Sequence, residues 1–364
     1  SSLHKVKPVL FQTFGALSLV VAMVAPSLLI RVAVLAASAS AAASLAPEGV
    51  CRARATCMSG QSAVQQEQAL LQLKADRSSL QFADAGRQNS SAGSELTLST
   101  FFWNVHWECS NAARGASRNC KTQVVRRFAK LARDFGADIV ASVELSDGLS
   151  QPVKLPSHGL SGWTQVDGPC QEGSGGDSSA LAFAPGWNVL SSGGGCLRHD
   201  YDTRAFTVAK VAPPVPIRGC SSLCVVAIHA PHGTITNGHE EVSRVCGEAK
   251  RTCTVAMGDW NVPVGDGLNS RWSELISGQA PPLLAEPNER TCCFPESDHY
   301  GVFDHLASNI AGARSAGHEV LPYQILEENP VKQHRPVVAR ISLPTDRSTA
   351  SSPQSAFHQK VDIR

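Results

Sequence analysis

Between Leu96 and Ile341 the chain alternates short apolar, β-branched runs with polar breaks, and that pattern restricts it to a sheet-based fold. Leu96–Val105, Asp138–Leu145, Ser179–Ala184, Ala205–Val211, Leu223–His229, Thr254–Met257, Phe303–Ser308 and Val337–Ile341 all have the length and composition of strands. The strongest helix is Lys121–Phe135, where Val124, Val125, Phe128, Leu131 and Ala132 form a stripe opposite Arg and Lys. Gly136 follows as its stop. Strands outnumber helices, so the expected class is α/β (α+β): a four-layer sandwich of two packed mixed β-sheets flanked by helices.

The 364 residues allow one large domain or two ordinary ones, at roughly 100–200 residues each. An apolar share of 43% supplies a sizeable core and excludes wholesale disorder. The formal charge is only +1, from 32 Lys+Arg against 31 Asp+Glu, so no basic excess or acidic tail declares a partner.

The sequence divides into four parts. Residues 1–46 read as a signal peptide or signal anchor: Lys5 and Lys7, an apolar stretch from Val9 to Ile30, Arg31, then an Ala/Ser-rich run with A-x-A-like sites at Ala37-Ser38-Ala39. The apolar stretch is also long enough to span ~30 Å of bilayer, which would give membrane association through this segment. A plastid-directed transit segment is the third reading. Residues 47–95 form a linker with a short helix at Gln61–Leu80, a candidate Cys51–Cys57 loop and an N-x-S sequon at Asn89-Ser90-Ser91. The principal domain spans 96–345, and the Ser-rich 346–364 lacks any apolar pattern and is expected to be disordered.

Twelve cysteines point to an oxidising compartment, secreted or in the lumen of the secretory pathway. Near pairs suggest staples: Cys109 with Cys120, Cys170 with Cys196, Cys220 with Cys224, Cys246 with Cys253. Cys292 and Cys293 are adjacent, and a bond between them is not expected. No C-x₂-C spacing suggests a structural zinc site.

Chemistry-bearing side chains recur at strand ends, where backbone stops and side chains converge. In chain order they are Asn104, Glu144 in a buried apolar strand, Arg204, His229, Gly258-Asp259-Trp260-Asn261, Asp304 and Gln333-His334-Arg335-Pro336. Each alone has a bland reading: a strand-end His is a satisfied core residue, a Gly-Asp-x-Asn a turn, Asn104 a turn cap. A Glu inside an apolar strand is costly unless paired or metal-bound.

Taken in order, these residues resemble the endonuclease/exonuclease/phosphatase superfamily, over roughly Leu96 to Leu343. Gly258-Asp259-Trp260-Asn261 looks like the family's GDFN. The strand ending in Glu144 looks like its D-I-[VA]-x-x-Q-E strand, with Val143 where Gln is usual. The resemblance implies hydrolysis of a P–O bond by in-line attack of water, assisted by Mg²⁺ (or Mn²⁺/Ca²⁺). It implies that Glu144 carries the metal with Asn104 beside it, and that Asp259 orients or deprotonates the water. Asn261 would contact the scissile phosphate. His334, held by Asp304, would stabilise phosphate oxygens; His229 is the second His, and Arg204 a phosphate contact. The family's Ser-Asp-His motif appears here as Lys332-Gln333-His334, so Gln333 replaces an Asp near the metal. A literal Ser297-Asp298-His299 lies upstream, without the closing Pro-containing strand. The partner Glu that some nucleases of the family give to the His229 position is not visible in Gly175 to Phe183.

The expected activity is a secreted, monomeric, deoxyribonuclease-like phosphodiesterase acting on nucleic acid. The alternatives are a phospholipid, sphingolipid or small phosphate-ester hydrolase, and a catalytically impaired binding protein with Gln333 marking the decay. From Leu96 to Thr345 there are 21 Lys+Arg and 24 Asp+Glu, a net of −3, so a nucleic-acid face would have to be local. The candidate patch is Arg114, Arg118, Lys121, Arg126 and Arg127, whose bland reading is a solvated helix face.

Overall fold

The computed structural model describes residues 95–346, apart from 107–117, 148–150, 172–176, 201, 249, 251–252, 264, 277–280, 282, 286, 288, 294–300 and 322–333. Two six-stranded mixed sheets form the body. The first contains β1 (Glu95–Asn104), β2 (Ile139–Val143), β5 (Thr164–Cys170), β6 (Asp177–Phe183), β13 (Arg314–Val320) and β14 (Val337–Pro344), in the order β13-β14-β1-β2-β6-β5. The second contains β7 (Asn188–His199), β8 (Asp202–Ala212), β9 (Leu223–His229), β10 (Thr254–Asp259), β11 (Leu283–Ala285) and β12 (Asp304–Ser308), in the order β11-β12-β10-β9-β8-β7. A two-stranded ribbon, β3 (Ser146–Asp147) with β4 (Gln151–Pro152), follows β2.

Strand alternation builds three apolar layers from two sheets. Along β1, Leu98 and Phe102 face the second sheet, where they pack with Ile139, Leu181, Val225, Met257 and Leu306. Phe101 and Trp103 point the other way, onto Val124 and Phe128 of α1 (Arg118–Asp134). The rings of Phe101 and Phe128 meet edge to face at 5.0 Å. In β9, Val225 and Ala227 face inward, while Val226 and Ile228 face α2 (His239–Cys246) and α3 (Asp266–Leu275). Trp260 stacks on Trp272 of α3 there, with centroids 6.5 Å apart. The four layers are therefore helix, sheet, sheet, helices, as the apolar periodicity predicts. No helix among the described residues is long and apolar enough to cross a membrane.

The cysteines pair differently from their sequence spacing. Cys170–Cys196 forms as expected, but Cys220 joins Cys253 and Cys224 joins Cys246. The parallel pairing of β9 with β10 explains this: Thr254 lies opposite Cys224, so Cys253 and Cys220 meet where the two strands begin. Cys224 sits on the outer face of β9, against Cys246 at the end of α2. Cys292 and Cys293 are bonded to one another, contrary to expectation. The Cys51–Cys57 and Cys109–Cys120 loops involve residues outside those described.

Candidate active site

Each sheet has one parallel pair at its centre, β1 with β2 and β9 with β10. The carboxyl ends of these pairs converge on one edge of the sandwich and carry Asn104, Glu144, His229 and Asp259. Strands antiparallel to them begin at the same edge. Asp177 opens β6 there, Asp304 opens β12 opposite Asp259, His334 precedes β14, and Arg204 lies near the start of β8. One topological rule thus gathers residues that lie up to hundreds of positions apart.

Asp259 occupies the centre and is fully buried. Its Oδ2 accepts from Asn104 Nδ2 at 2.9 Å, and its Oδ1 accepts from the Asn261 backbone N–H at 2.9 Å. The same Oδ2 lies 3.6 Å from His334 Nε2 and 3.8 Å from His229 Nε2. Burial alone would raise the Asp259 pKa, but the charges of His334 and His229 and these hydrogen bonds hold it below the ordinary value. The carboxylate is therefore ionised and aimed by four neighbours.

Local backbone geometry delivers it. Gly258 has φ +138°, and a Cβ there would stand 2.1 Å from the Ile228 carbonyl oxygen, so the position accepts only glycine. Asn261 turns into the left-handed region at φ 51°, and its Nδ2 donates to the Ala230 carbonyl at 2.7 Å. Trp260 is buried between them and donates from Nε1 to the His305 carbonyl at 3.1 Å. Glu144 also has a positive φ, 58°, just past β2, which takes its side chain out of the strand's alternation and into the site.

Both histidines are anchored through Nδ1 to a buried carboxylate. His334 Nδ1 is 2.7 Å from Asp304 Oδ2, and His229 Nδ1 is 2.9 Å from Asp177 Oδ2. Desolvation opposes charge on His334, but Asp304 and Asp259 outweigh it and push its pKa up to about 9. His229 moves in the same direction: desolvation is overcome by Asp177 and by Glu144, whose Oε1 stands 3.4 Å from His229 Nε2. Asp177 also accepts from the Ala205 and Ser178 backbone N–H groups, at 2.8 and 2.7 Å, and its pKa falls despite its burial.

Asp177 is the functional residue that sequence reasoning missed. It is the acidic partner of His229, an Asp in Gly175 to Phe183 where a Glu was sought. The available signal was a single acid at the head of Asp177-Ser-Ser-Ala-Leu-Ala-Phe, a strand with every residue buried.

Arg204 lies at the rim, its Nη2 3.2 Å from Asp202 Oδ1, close enough for its charge to work against protonation of His229. Asp202 Oδ2 also accepts the His232 backbone N–H at 2.7 Å. Gln333 and the alternative Asp298 and His299 lie outside the described residues. Of the basic patch, Arg126 and Arg127 are exposed and Lys121 pairs with Asp147 at 2.5 Å; Arg114 lies outside the described residues. The donor chemistry suits a hard divalent cation: the Glu144 carboxylate supplies oxygen close to His229, the Asn104 carboxamide oxygen accepts the His106 N–H at 2.9 Å while its Nδ2 faces Asp259, and Asp259, Asp304 and His334 form a compact potential ligand group.

No family model matches the chain, and no curated protein matches it. Solved structures do. It is similar to an endonuclease/exonuclease/phosphatase family protein from Bacteroides thetaiotaomicron, 13% identical over 68% of this chain and 98% of that one, with a TM-score of 0.44. A mannosyl-6-phosphatase from the same organism is 14% identical over 67% and 99%, with a TM-score of 0.45. TDP2 of D. rerio, complexed with a single-strand DNA product, is 12% identical over 67% and 98%, with a TM-score of 0.43.

Proposed function

We propose that this chain is a divalent-metal-dependent phosphoric ester hydrolase of the endonuclease/exonuclease/phosphatase type. The observation that carries the proposal is Asp259 held between two carboxylate-anchored histidines, at 3.6 and 3.8 Å, with Glu144 and Asn104 alongside. An ionised carboxylate, a cationic imidazole and a second carboxylate-anchored imidazole meet here at one set of strand ends, and water attack on a phosphate ester needs both a base and hydrogen-bond donors that stabilise negative charge.

Asp259 accepts the proton of the attacking water or fixes its orientation. His334, cationic and locked in place by Asp304, donates from Nε2 to the phosphoryl oxygens as negative charge develops on them. His229, held by Asp177, donates to the phosphate or to the leaving oxygen. Asn261 and Arg204 contact the non-bridging oxygens. Glu144 and Asn104, with Gln333, would hold the metal, which supplies Lewis-acid polarisation of the P–O bond when bound.

Nucleic acid is the preferred substrate class. The support is Arg204 at the rim, together with disulfides suited to an extracellular enzyme. A phospholipid or small phosphate ester would use the same reaction. The test is hydrolysis by the full chain of plasmid DNA, RNA, sphingomyelin and bis-p-nitrophenyl phosphate, with Mg²⁺, Mn²⁺ or EDTA, beside Asp259→Ala. Metal-dependent cleavage lost in the variant supports the proposal, and the preferred substrate assigns the class. A folded chain that cleaves none of the four overturns it in favour of a binding role.

A further inference from the structure

The hydrolytic reading leaves Cys292 and Cys293 without a task, yet they stand against its machinery. Their two sulfurs and one ring nitrogen of His334 lie within 4.8 Å of one another. The segment is fastened to both halves of the His334–Asp304 pair: the Thr291 carbonyl accepts the Arg335 N–H at 2.7 Å, and Thr291 Oγ1 accepts the Phe303 and Asp304 N–H groups at 3.1 and 3.3 Å. Cys292 is buried, donating its N–H to the Gly301 carbonyl at 3.1 Å, while Cys293 is only half-buried. Two of the other disulfides, Cys220–Cys253 and Cys224–Cys246, lie toward the opposite end of β9 and β10.

The geometry points to a second, redox-gated metal site formed by Cys292, Cys293 and His334, taking a thiophilic divalent cation such as Zn²⁺ or Cd²⁺. A dithiol reductant delivers two electrons and two protons to the Cys292–Cys293 bond, yielding two thiols, and is itself oxidised to a disulfide. Metal binding releases three protons to solvent, two from the thiols and one from the His334 imidazolium, and leaves two thiolates and one neutral imidazole nitrogen. That S,S,N set is the one zinc takes with a fourth position open. Thiolate selects Zn²⁺ and Cd²⁺ over Mg²⁺, so the site does not compete for the hydrolytic metal. A cation bound there takes His334 out of service, so Zn²⁺ inhibits the reduced chain and not the oxidised one. The cation-binding half stands on the donor geometry alone; the inhibition rests on the hydrolytic role proposed for His334.

The test uses the full chain, oxidised and after dithiothreitol treatment and removal of the reductant, with thiol alkylation and peptide mass analysis locating the reduced cysteines. Cd²⁺ is the probe, read by its ultraviolet thiolate-to-metal charge-transfer band. The reduced wild-type chain is expected to bind one more Cd²⁺ than either the oxidised chain or a reduced Cys292→Ser/Cys293→Ser variant. One equivalent of Zn²⁺ is expected to stop Mg²⁺-supported hydrolysis only in the reduced wild type, while the double variant hydrolyses in Zn²⁺ as it does without. An equal Cd²⁺ stoichiometry and band in the double variant, or no reduction at 292–293, overturns the site. A Cd²⁺ band in a chain without hydrolysis supports the site and counts against the hydrolytic reading alone.

Discussion

The pH dependence of folding offers a direct reading of the His334–Asp304 pair. His334 has a pKa of about 9 in the folded chain, against an ordinary 6.5. Its ring is buried, so solvent does not screen the interaction. Because the folded pKa is the higher, protonation stabilises the fold. The full contribution is present below the unfolded pKa and is lost as pH rises through the folded one. The interval corresponds to about 3 kcal/mol, at ~1.4 kcal/mol for each tenfold in proton affinity. That is a large share of a typical stability of ~5–15 kcal/mol. The assay is denaturant unfolding with disulfides intact, at about pH 6 and about pH 10, of the wild type and of His334→Gln, which cannot titrate. The stability difference between the two should fall by about 3 kcal/mol across that window. Hydrolysis should persist to about pH 9 and decline above it, as His334 loses the proton it donates. A stability difference constant across the window would refute the placement of His334 between two carboxylates.

Asp177→Asn removes the charge that orients His229, and should lower kcat ~10–100-fold with little change in KM, measured by steady-state kinetics on the preferred substrate. Glu144→Gln should raise the Mg²⁺ concentration needed for half-maximal rate, while Gln333→Asp should lower it; no change in either would move the metal away from Glu144. Gly258→Ala should destabilise the domain by at least ~2 kcal/mol in a denaturant titration, since its Cβ meets the Ile228 carbonyl and its φ is one that L residues rarely adopt.

The interior of the fold was legible in the sequence and its margins were not. The strands read as apolar runs are those at or next to the centres of the two sheets, buried on both faces, where composition must be apolar. The strands not anticipated include all four sheet edges: β5, β7, β11 and β13. β7 carries Ser191-Ser-Gly-Gly-Gly-Cys and is only half-buried, so it has neither alternation nor β-branched content to mark it. The candidate site was legible where a polar residue ended an apolar strand, as in His229 and Asp259. Asp177 escaped because a lone acid at the head of a strand commonly serves as turn punctuation; Asp304, which also opens a strand, was found only through the family resemblance. The disulfides at Cys220 and Cys224 were misread because pairing follows the parallel register of β9 and β10, which no local spacing encodes.

Each histidine–carboxylate pair crosses between the sheets, and in opposite senses. Asp177 comes from the first sheet and holds His229 of the second; Asp304 comes from the second and holds His334 at the edge of the first. The site is therefore a product of sheet-on-sheet packing, and two core truncations of similar cost should separate in activity. Leu181 lies in β6 between the sheets, a few residues from Asp177, whereas Leu160 belongs to the outer layer, next to Gly159, which packs on Ala129 and Arg133 in the last turns of α1. Either change to Ala should cost ~2–5 kcal/mol. At a temperature where both variants remain folded by circular dichroism, Leu181→Ala should lose kcat beyond its loss of folded fraction, because a shift of one sheet against the other lengthens the Asp177–His229 contact. Leu160→Ala should retain wild-type kcat per folded molecule, because the inter-sheet spacing is untouched. Equal kcat values in the two variants would show that the pairs are held by their own strand ends rather than by the packing of the sheets.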